Sequence, residues 1–312
     1  MYGFRHLQTV HNGDTVDILI KSKTGEEQTV KPLFFFCQGS LPIPLMIRHY
    51  RDGESAIYNV FPFEKLDNIL TTYHIVIVGK PYIPLIIDEK LLNKDMTYSE
   101  RTKMFSRKYV ERNLLSYYVN RNNEVIDFLR TQTFVSKKNL VLAGHSEGSA
   151  IAAKMAYSNR KVTKLIYSAG NPLGRMMTNV ARSRVTETDS SKQASLVFEN
   201  WKGIISSPKS IEGFGDTNKG TFEFSYPPPM KYLLKLKIPV LVTYGTKDYG
   251  LINSADYFRL EVIRLGKTNF TFKDYIGLEH NYFPLEANGE INYEIYNWDK
   301  IANDWIEWLR NN

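Results

Sequence analysis

The stretch Leu140-Val141-Leu142-Ala143-Gly144-His145-Ser146-Glu147-Gly148 decides the fold of this chain. Its apolar first half predicts a buried strand, and the small residues Ser149-Ala150-Ile151-Ala152-Ala153 that follow predict the start of a helix. Between strand and helix lies the pattern G-x-S-x-G, in which the serine takes strained backbone angles and the glycines prevent clashes. The serine hydroxyl then stands at the tip of the turn, where the helix start favours negative charge. Because a serine between glycines also occurs in ordinary polar turns, a catalytic role requires further groups elsewhere in the chain.

Length and composition indicate an ordinary globular protein. The 312 residues are 43% hydrophobic, 13% aromatic and 23% charged, which is enough apolar material for a sizeable core. The formal charge of +7, from 40 basic and 33 acidic residues, is small for this length. The basic residues form only short groups without interleaved aromatic residues, so we expect no nucleic-acid partner.

Cysteine content and hydropathy bear on the cellular compartment. The single cysteine, Cys37, excludes a disulfide framework, and its place at the end of an apolar run predicts a core position. No run is long enough for a membrane span, and the N-terminus lacks the apolar segment of a signal peptide. We therefore expect a cytoplasmic protein, unless a signal peptide was removed before Met1. The sequence does not indicate an oligomeric state.

Apolar runs alternate with helical stretches along most of the chain. Residues 6–10 and 15–20 flank the turn residues Asn12-Gly13 and predict an antiparallel hairpin. Further strands are predicted at residues 33–37, 75–78, 140–143, 165–169, 239–244 and 270–275. Continuous apolar strands separated by helices are typical of a mostly parallel sheet covered on both faces.

Residues 171–230 differ from the rest because they are polar and bounded by proline-containing turns. The segment is too long for a plain loop in a compact domain. We predict an inserted helical lid or cap with helices near residues 176–183 and 191–205. Residues 1–170 and 231–312 then form the core domain.

A serine nucleophile needs a base, and His280 is the best candidate. It lies in Gly277-Leu278-Glu279-His280-Asn281, directly after the last predicted strand. Adjacent His145 is expected to point away from Ser146 at so sharp a turn. The remaining histidines belong to the N-terminal hairpin or lack a motif; they are His6, His11, His49 and His74.

The base in turn needs a carboxylate, for which Asp248 is the best candidate. It follows the buried strand and glycine turn Val240-Leu241-Val242-Thr243-Tyr244-Gly245-Thr246-Lys247. Acids at the carboxyl ends of parallel strands lie where ligand chemistry collects. Asp256 and Asp274 are weaker candidates, since one falls in a predicted helix and the other within a strand. A simple turn or capping role for Asp248 stays open.

An oxyanion hole requires two backbone N–H groups. That of Glu147, directly after the serine, is one candidate. The other is the N–H of Ser40 in the loop Gln38-Gly39-Ser40 after the first parallel strand, where Gly39 permits close approach of the backbone. An ordinary strand-ending glycine turn is the alternative interpretation of this loop.

Taken together, these motifs resemble those of the α/β-hydrolase fold superfamily, from about residue 33 to the C-terminus. The motifs are Gln38-Gly39-Ser40, Gly144-His145-Ser146-Glu147-Gly148, Gly245-Thr246-Lys247-Asp248 and Glu279-His280-Asn281. The resemblance implies an enzyme of the serine esterase, dienelactone-hydrolase-like or peptidase-like branch. Many relatives have His-Gly where this chain has Gln38-Gly39, which implies a different pocket polarity but leaves backbone donors intact. Because the superfamily includes non-hydrolases, the resemblance indicates machinery better than substrate.

The leading hypothesis is hydrolysis of a carboxylic ester or related small acyl substrate by Ser146, His280 and Asp248, without metal or organic cofactor. Peptide or amide hydrolysis by the same triad is an alternative, as is a non-catalytic binding module. Thioester hydrolysis also stays open, because Arg175, Arg182 and Arg184 of the insertion offer phosphate contacts, although nearby acidic residues favour a solvated surface. Candidate pocket residues are Gln38, Tyr82, Tyr249 and Trp201, each of which also suits a core or surface position.

Overall fold

The computed structural model describes residues 2–51, 54–59, 61–99, 105–213 and 215–312. Its strands are β1 Arg5–His11, β2 Asp14–Lys21, β3 Lys31–Cys37, β4 Met46–Arg51, β5 Glu54–Asn59, β6 His74–Val78, β7 Ile86–Asp88, β8 Val135–His145, β9 Lys164–Ser168, β10 Val240–Gly245 and β11 Phe270–Tyr275. Its helices are α1 Asp67–Leu70, α2 Arg107–Arg112, α3 Leu115–Leu129, α4 Glu147–Ser158, α5 Arg175–Thr186, α6 Gln193–Ser206, α7 Asn218–Ser225, α8 Met230–Leu233, α9 Ile252–Arg264 and α10 Trp298–Asn311, with a 3₁₀ turn at Glu89–Leu91.

A mostly parallel central sheet organises the described residues. Its strand order is β1-β2-β6-β3-β8-β9-β10-β11, and only β1 and β2 run antiparallel to their neighbours. The predicted hairpin joins β1 to β2 through Asn12 and Gly13, whose φ angles of 52° and 83° suit the tight turns that asparagine and glycine favour. The mostly parallel sheet with N-terminal antiparallel strands is therefore confirmed.

Both faces of this sheet are buried under helices. Along β3, Phe34 and Phe36 point into one core, whereas Phe35 and Cys37 point into the other. The first core is covered by α1 and α10, with Trp305 fully buried at its centre, and the second by α3, α4 and α9. This two-sided burial explains why the strands are continuously apolar. It also confirms the core position predicted for Cys37, and burial raises the pKa of its thiol to about 12.

Two features of the structure extend the predicted architecture. A small second sheet, in the order β5-β4-β7, was not predicted. The segment of residues 171–230 contains α5 and α6, close to the two predicted helices, and in addition α7, whose start is capped by the Thr217 hydroxyl. Among the helices described, none combines the length and apolar character that a membrane crossing requires.

The parallel strands bring several loops to one edge of the sheet. The loops after β3, β8, β9, β10 and β11 all leave the sheet at this edge, because these strands point the same way. Ligand chemistry collects at such an edge in open α/β sheets. Gln38, Ser146, Asn171, Asp248 and His280 each lie on one of these loops.

Candidate active site

Ser146 lies at a tight turn between β8 and α4 and carries the strain that the sequence pattern predicts. Its φ and ψ are 57° and −125°, in the positive-φ region that non-glycine residues seldom adopt. A Cβ on Gly144 would lie 2.1 Å from the carbonyl oxygen of Gly148, and a Cβ on Gly148 would lie 2.0 Å from that of Cys37. Only glycine fits at either position, so the strand, turn and helix pack closely enough to hold the serine at the tip.

Ser146, His280 and Asp248 form a continuous hydrogen-bonded chain. The Oγ of Ser146 lies 2.9 Å from Nε2 of His280, and Nδ1 of His280 lies 2.5 Å from Oδ2 of Asp248. Because a carboxylate can only accept, Nδ1 carries the proton and Nε2 is free to accept from the serine hydroxyl. The arrangement is that of a nucleophile, a base and a group that orients the base.

Asp248 is held in place by its own loop. Its side chain is 3% exposed, and its second oxygen, Oδ1, accepts a hydrogen bond of 3.1 Å from the N–H of Gly250. The weaker candidate acids lie elsewhere: Asp256 accepts from the Tyr244 hydroxyl, and Asp274 pairs with Arg259 at the surface. The structure thus places Asp248, and neither of the others, against His280.

Two backbone N–H groups stand beside Ser146 without acceptors. Within the described residues, neither the N–H of Ser40 nor that of Glu147 donates a hydrogen bond. The loop that carries Ser40 lies against the nucleophile, since a Cβ on Gly39 would lie 3.7 Å from Cβ of Ser146. Both N–H groups therefore lie next to the nucleophile with no acceptor, as the donors of an oxyanion hole do.

A side-chain hydrogen bond from Gln38 to the neighbouring strand holds the loop that carries Ser40. Its Nε2 donates to the carbonyl oxygen of Val78, at 2.5 Å, and its buried Oε1 has no partner among the described residues. Gln38 lines a cavity at the nucleophile, as predicted for a pocket residue. The side chain therefore ties the loop carrying Ser40 to β6 and leaves an amide oxygen for water or a ligand.

Two cavities meet at Ser146 and His280. The larger has a volume of about 780 Å³, and the smaller, below the helical segment, has about 230 Å³. Six aromatic side chains contribute to the wall of the larger cavity; they are Phe36, Phe61, Phe63, Phe283, Tyr296 and Trp298. The smaller is lined mainly by polar groups, including Asn171, Arg175, Thr178, Asn179, Arg182 and Asp216. The nucleophile thus lies between a cavity with several aromatic walls and a smaller, more polar one.

Three of the predicted pocket residues line neither cavity. The hydroxyl of Tyr82 is bound to the buried carboxylate of Asp14, which draws the ring to a different part of the sheet edge. The Trp201 ring stacks on Phe222 within the helical segment, at 6.1 Å between centroids. Tyr249 is 46% exposed, because its neighbour Asp248 turns inward to His280. These three side chains lie instead in core or surface positions outside both cavities.

The side chain of Glu147 joins the turn at Ser146 to the helical segment. It is buried and forms an ion pair with Arg175 of α5, which also lies 3.0 Å from Asp216 and 4.5 Å over the ring of Phe224. A buried carboxylate stays charged at low cost only with such a partner. Arg175 is therefore a structural cation of the site rather than a solvated surface group. No local pattern predicts this pairing, since the three groups lie far apart along the chain.

His145 is buried beside the nucleophile and belongs to a second chain of hydrogen bonds. Its Nε2 lies 3.2 Å from Oδ1 of Asn281, and its Nδ1 lies 3.1 Å from Oγ of Ser168, which in turn bonds to the Tyr282 hydroxyl at 2.6 Å. Since an amide oxygen only accepts, Nε2 carries the proton and Nδ1 accepts from Ser168. Burial, followed by the charge of nearby His280, lowers the pKa of His145 to about 3. His145 is a neutral support for the loop that carries His280.

This burial predicts a contribution of His145 to the pH dependence of stability. The unfolded chain binds a proton at His145 below pH about 6.5, whereas the folded protein does so only near pH 3. Stability from this group is therefore present above pH about 6.5 and falls with decreasing pH by up to about 1.4 kcal/mol per unit. In urea unfolding between pH about 4 and 6, His145→Gln should show a shallower loss of stability than the wild type. Parallel curves for the two proteins would show that His145 is not held neutral.

Comparisons with known proteins give fold neighbours only. No family model matches the sequence, and no curated protein matches it. Est1E from Butyrivibrio proteoclasticus with bound ferulic acid superposes with a TM-score of 0.61 at 13% identity, covering 97% of each chain. The Pyrococcus horikoshii acylaminoacyl peptidase gives 0.56 at 16% identity, covering 89% of this chain and 37% of its own. A Mycobacterium tuberculosis puromycin-hydrolyzing peptidase gives 0.55 at 12%, covering 89% and 36%.

The lengths compare in two ways: this chain and Est1E align almost end to end, whereas this chain spans little more than a third of either peptidase. At these identities the likeness concerns the fold and not the activity. The neighbours share the mostly parallel sheet that the strand order of this chain shows independently. On both grounds, this protein has the α/β-hydrolase fold.

Proposed function

We propose that this protein is a serine hydrolase that cleaves carboxylic esters. One observation carries the proposal: the unbroken chain Ser146–His280–Asp248 stands beside two unpaired N–H groups, at the junction of two cavities. Each of these parts has a use in acyl transfer and together they have few others. A binding module would have no need of all of them in this geometry.

The reaction follows from the protonation states of the resting site. The Oγ of Ser146 attacks the ester carbonyl carbon while Nε2 of His280 takes its proton, and the carbonyl oxygen becomes an oxyanion. The N–H groups of Ser40 and Glu147 donate to that oxyanion, and the N-terminal end of α4 adds a favourable dipole. Asp248 keeps the proton on Nδ1 and stabilises the imidazolium that forms.

Collapse of the tetrahedral intermediate then breaks the bond to the alcohol. The imidazolium gives its proton from Nε2 to the departing alkoxide, and the acyl group stays on Ser146. A water molecule attacks the acyl-enzyme while His280 takes one of its protons, and a second collapse releases the carboxylic acid. The proton returns to Ser146, so the enzyme is regenerated without cofactor.

The cavities indicate the general shape of the substrate. The aromatic wall of the larger cavity suits a bulky apolar or aromatic group, and the volume of about 780 Å³ lies in the usual range of small-molecule sites. Est1E, which aligns with this chain over nearly its whole length, holds ferulic acid, itself an aromatic carboxylic acid. Both observations support an ester with a large apolar component.

Residues 171–230 act in this proposal as a cap over the smaller cavity. Helix α5 contributes Arg175, Thr178, Asn179 and Arg182 to the wall, at the spacing of one helical face. The buried pairing of Arg175 with Glu147 attaches the cap directly to the turn that carries the nucleophile.

Matched esters and anilides test the proposal. We expect the purified protein to hydrolyse para-nitrophenyl esters of apolar acids well above the uncatalysed rate, and the corresponding para-nitroanilides more slowly. Faster cleavage of the anilides would favour the peptidase or amidase alternative, and activity on thioesters alone would favour that third class. If the folded protein turned over none of the three substrate classes, the proposal that it is a hydrolase would be contradicted.

A further inference from the structure

We infer that Arg182 binds a carboxylate on the substrate, so that the esterase prefers anionic esters. The inference rests on the proposed hydrolase function and names a substrate class for it. Arg182 lies on α5 and lines both cavities, together with Ser146 and His280. A group attached to the scissile ester on either side therefore passes close to this guanidinium.

Among the described residues that line the smaller cavity, Arg182 is the cation without a carboxylate partner. The carboxylates that line this cavity already have cationic or imidazole partners: Glu147 and Asp216 pair with Arg175, and Asp248 with His280. Within the part of the chain described, Arg182 itself has no hydrogen bond or ion pair, and Glu64 in the larger cavity does not pair with it. The guanidinium donors of Arg182 are thus available to a ligand.

The neighbouring arginines of the same helix show the contrast. Arg175 is partly buried and bound to two carboxylates, and Arg184 pairs at the surface with Glu187. Arg182 follows Arg175 by seven positions and so shares its face toward the cavity, whereas Arg184 lies on a different face. Of the three arginines on α5, Arg182 alone has no carboxylate partner within the described residues.

The side chain of Arg182 is also seated by the loop of the catalytic acid. A Cβ on Gly250 would lie 2.8 Å from its Nε and 3.3 Å from its Cγ, so the side chain of Arg182, although exposed as a whole, contacts this glycine. Gly250 in turn donates its N–H to Asp248. This contact restricts the side chain, so less conformational entropy is lost when it binds an anion. The planar guanidinium can bind a carboxylate through two parallel hydrogen bonds.

Two substrate pairs test the inference. The acyl pair is the para-nitrophenyl monoester of glutaric acid and the para-nitrophenyl ester of pentanoic acid. The alcohol pair is the pentanoate ester of para-hydroxybenzoate and that of its methyl ester. The ratio of kcat/KM within a pair, compared between enzyme variants, cancels the intrinsic reactivity of each ester. If the substitution changes the ratio for only one pair, that pair shows on which side of the scissile bond the substrate carboxylate lies.

For at least one pair, Arg182→Gln should lower kcat/KM of the anionic ester about 10- to 100-fold more than that of the neutral one. Arg182→Lys should retain part of the preference, since it keeps the charge but not the fork. Arg184→Gln is the matched control and should leave the ratio unchanged. Equal losses on both members of both pairs after Arg182→Gln would overturn the inference.

The same experiment distinguishes a failure of this inference from a failure of the proposed function. If the wild type hydrolyses the neutral esters but Arg182→Gln does not alter the ratios, only the assignment of Arg182 falls. If the wild type hydrolyses none of the four esters, the proposed function falls with it. A wild-type preference that Arg182→Gln leaves intact would place the anion site on other residues. Circular dichroism and Tm of each variant confirm that folding is preserved.

Discussion

Replacing Ser146 by alanine should lower kcat/KM for a neutral ester by about 10⁴- to 10⁶-fold. The substitution removes the attacking oxygen and nothing else: Gly144 and Gly148 still permit the close packing of the turn, and His280 keeps its bond to Asp248. The N–H groups of Ser40 and Glu147 also remain, so a small residual activity from oxyanion binding is expected. Initial rates on para-nitrophenyl pentanoate measure the effect.

A serine outside the site serves as the control for this substitution. Ser158 lies at the exposed end of α4, where its hydroxyl donates to carbonyl groups of its own helix and accepts from the side-chain amide of Asn123 on α3. Ser158→Ala should leave kcat/KM within about twofold, since nothing connects it to the nucleophile. Turnover by Ser146→Ala comparable to that of Ser158→Ala would mean that another group attacks the ester.

Replacing Asp248 by asparagine should lower kcat by about 10⁴-fold, because the change inverts the hydrogen-bond polarity at His280. The N–H of Gly250 donates to Oδ1 of Asp248, so it would hold the amide oxygen of an asparagine and turn the NH₂ group toward Nδ1. Nδ1 would then have to accept, and the proton would move to Nε2. An imidazole protonated at Nε2 cannot take the proton of Ser146.

Asp274→Asn is the matched control for Asp248→Asn. Asp274 also lies next to the carboxyl end of a parallel strand, but its carboxylate faces Arg259 at the surface. Its replacement should change kcat by less than about twofold, because an exposed ion pair contributes little. If Asp248→Asn lost less than about tenfold, the carboxylate would not be the group that orients the base.

The sequence predicted the central sheet because local patterns determine it. All eight of its strands correspond to predicted runs, and the inner strands are continuously apolar because both of their faces are buried. The second sheet was missed for the converse reason. β4 contains Arg48, His49 and Arg51, which break the apolar pattern, and β7 has only three residues. These strands depend on pairing with each other, which no local pattern reports.

The same distinction applies to the site. Ser146, Asp248 and His280 each follow a strand that the sequence marks clearly, so strand order alone was enough to propose their meeting. The cavity walls come instead from residues near 61–63 and 283–298, which fold back to the sheet edge over long distances in the chain. Tyr82 shows that strand order does not determine the direction of a side chain. It follows a predicted strand, yet its hydroxyl is held by Asp14, away from both cavities. Side-chain direction requires tertiary structure.

The role of the helical segment was the least predictable part. Its polar composition indicated an insertion, but Arg175, Arg182 and Arg184 look alike in sequence. The structure separates them into one arginine bound to Glu147 and Asp216, one free in the cavities and one paired with Glu187. Glu147 and Asp216 lie far from Arg175 in the chain, so composition alone could not show which of the three arginines they bind.

Covalent labelling with a fluorophosphonate tests the central claim most directly, because the reagent modifies a serine only when a base and an oxyanion hole activate it. Intact mass and peptide mapping of the folded protein should show a single adduct on Ser146, formed faster than on the unfolded chain and absent in Ser146→Ala. The absence of an adduct in the folded wild type, or an adduct at a residue other than Ser146, would contradict the account.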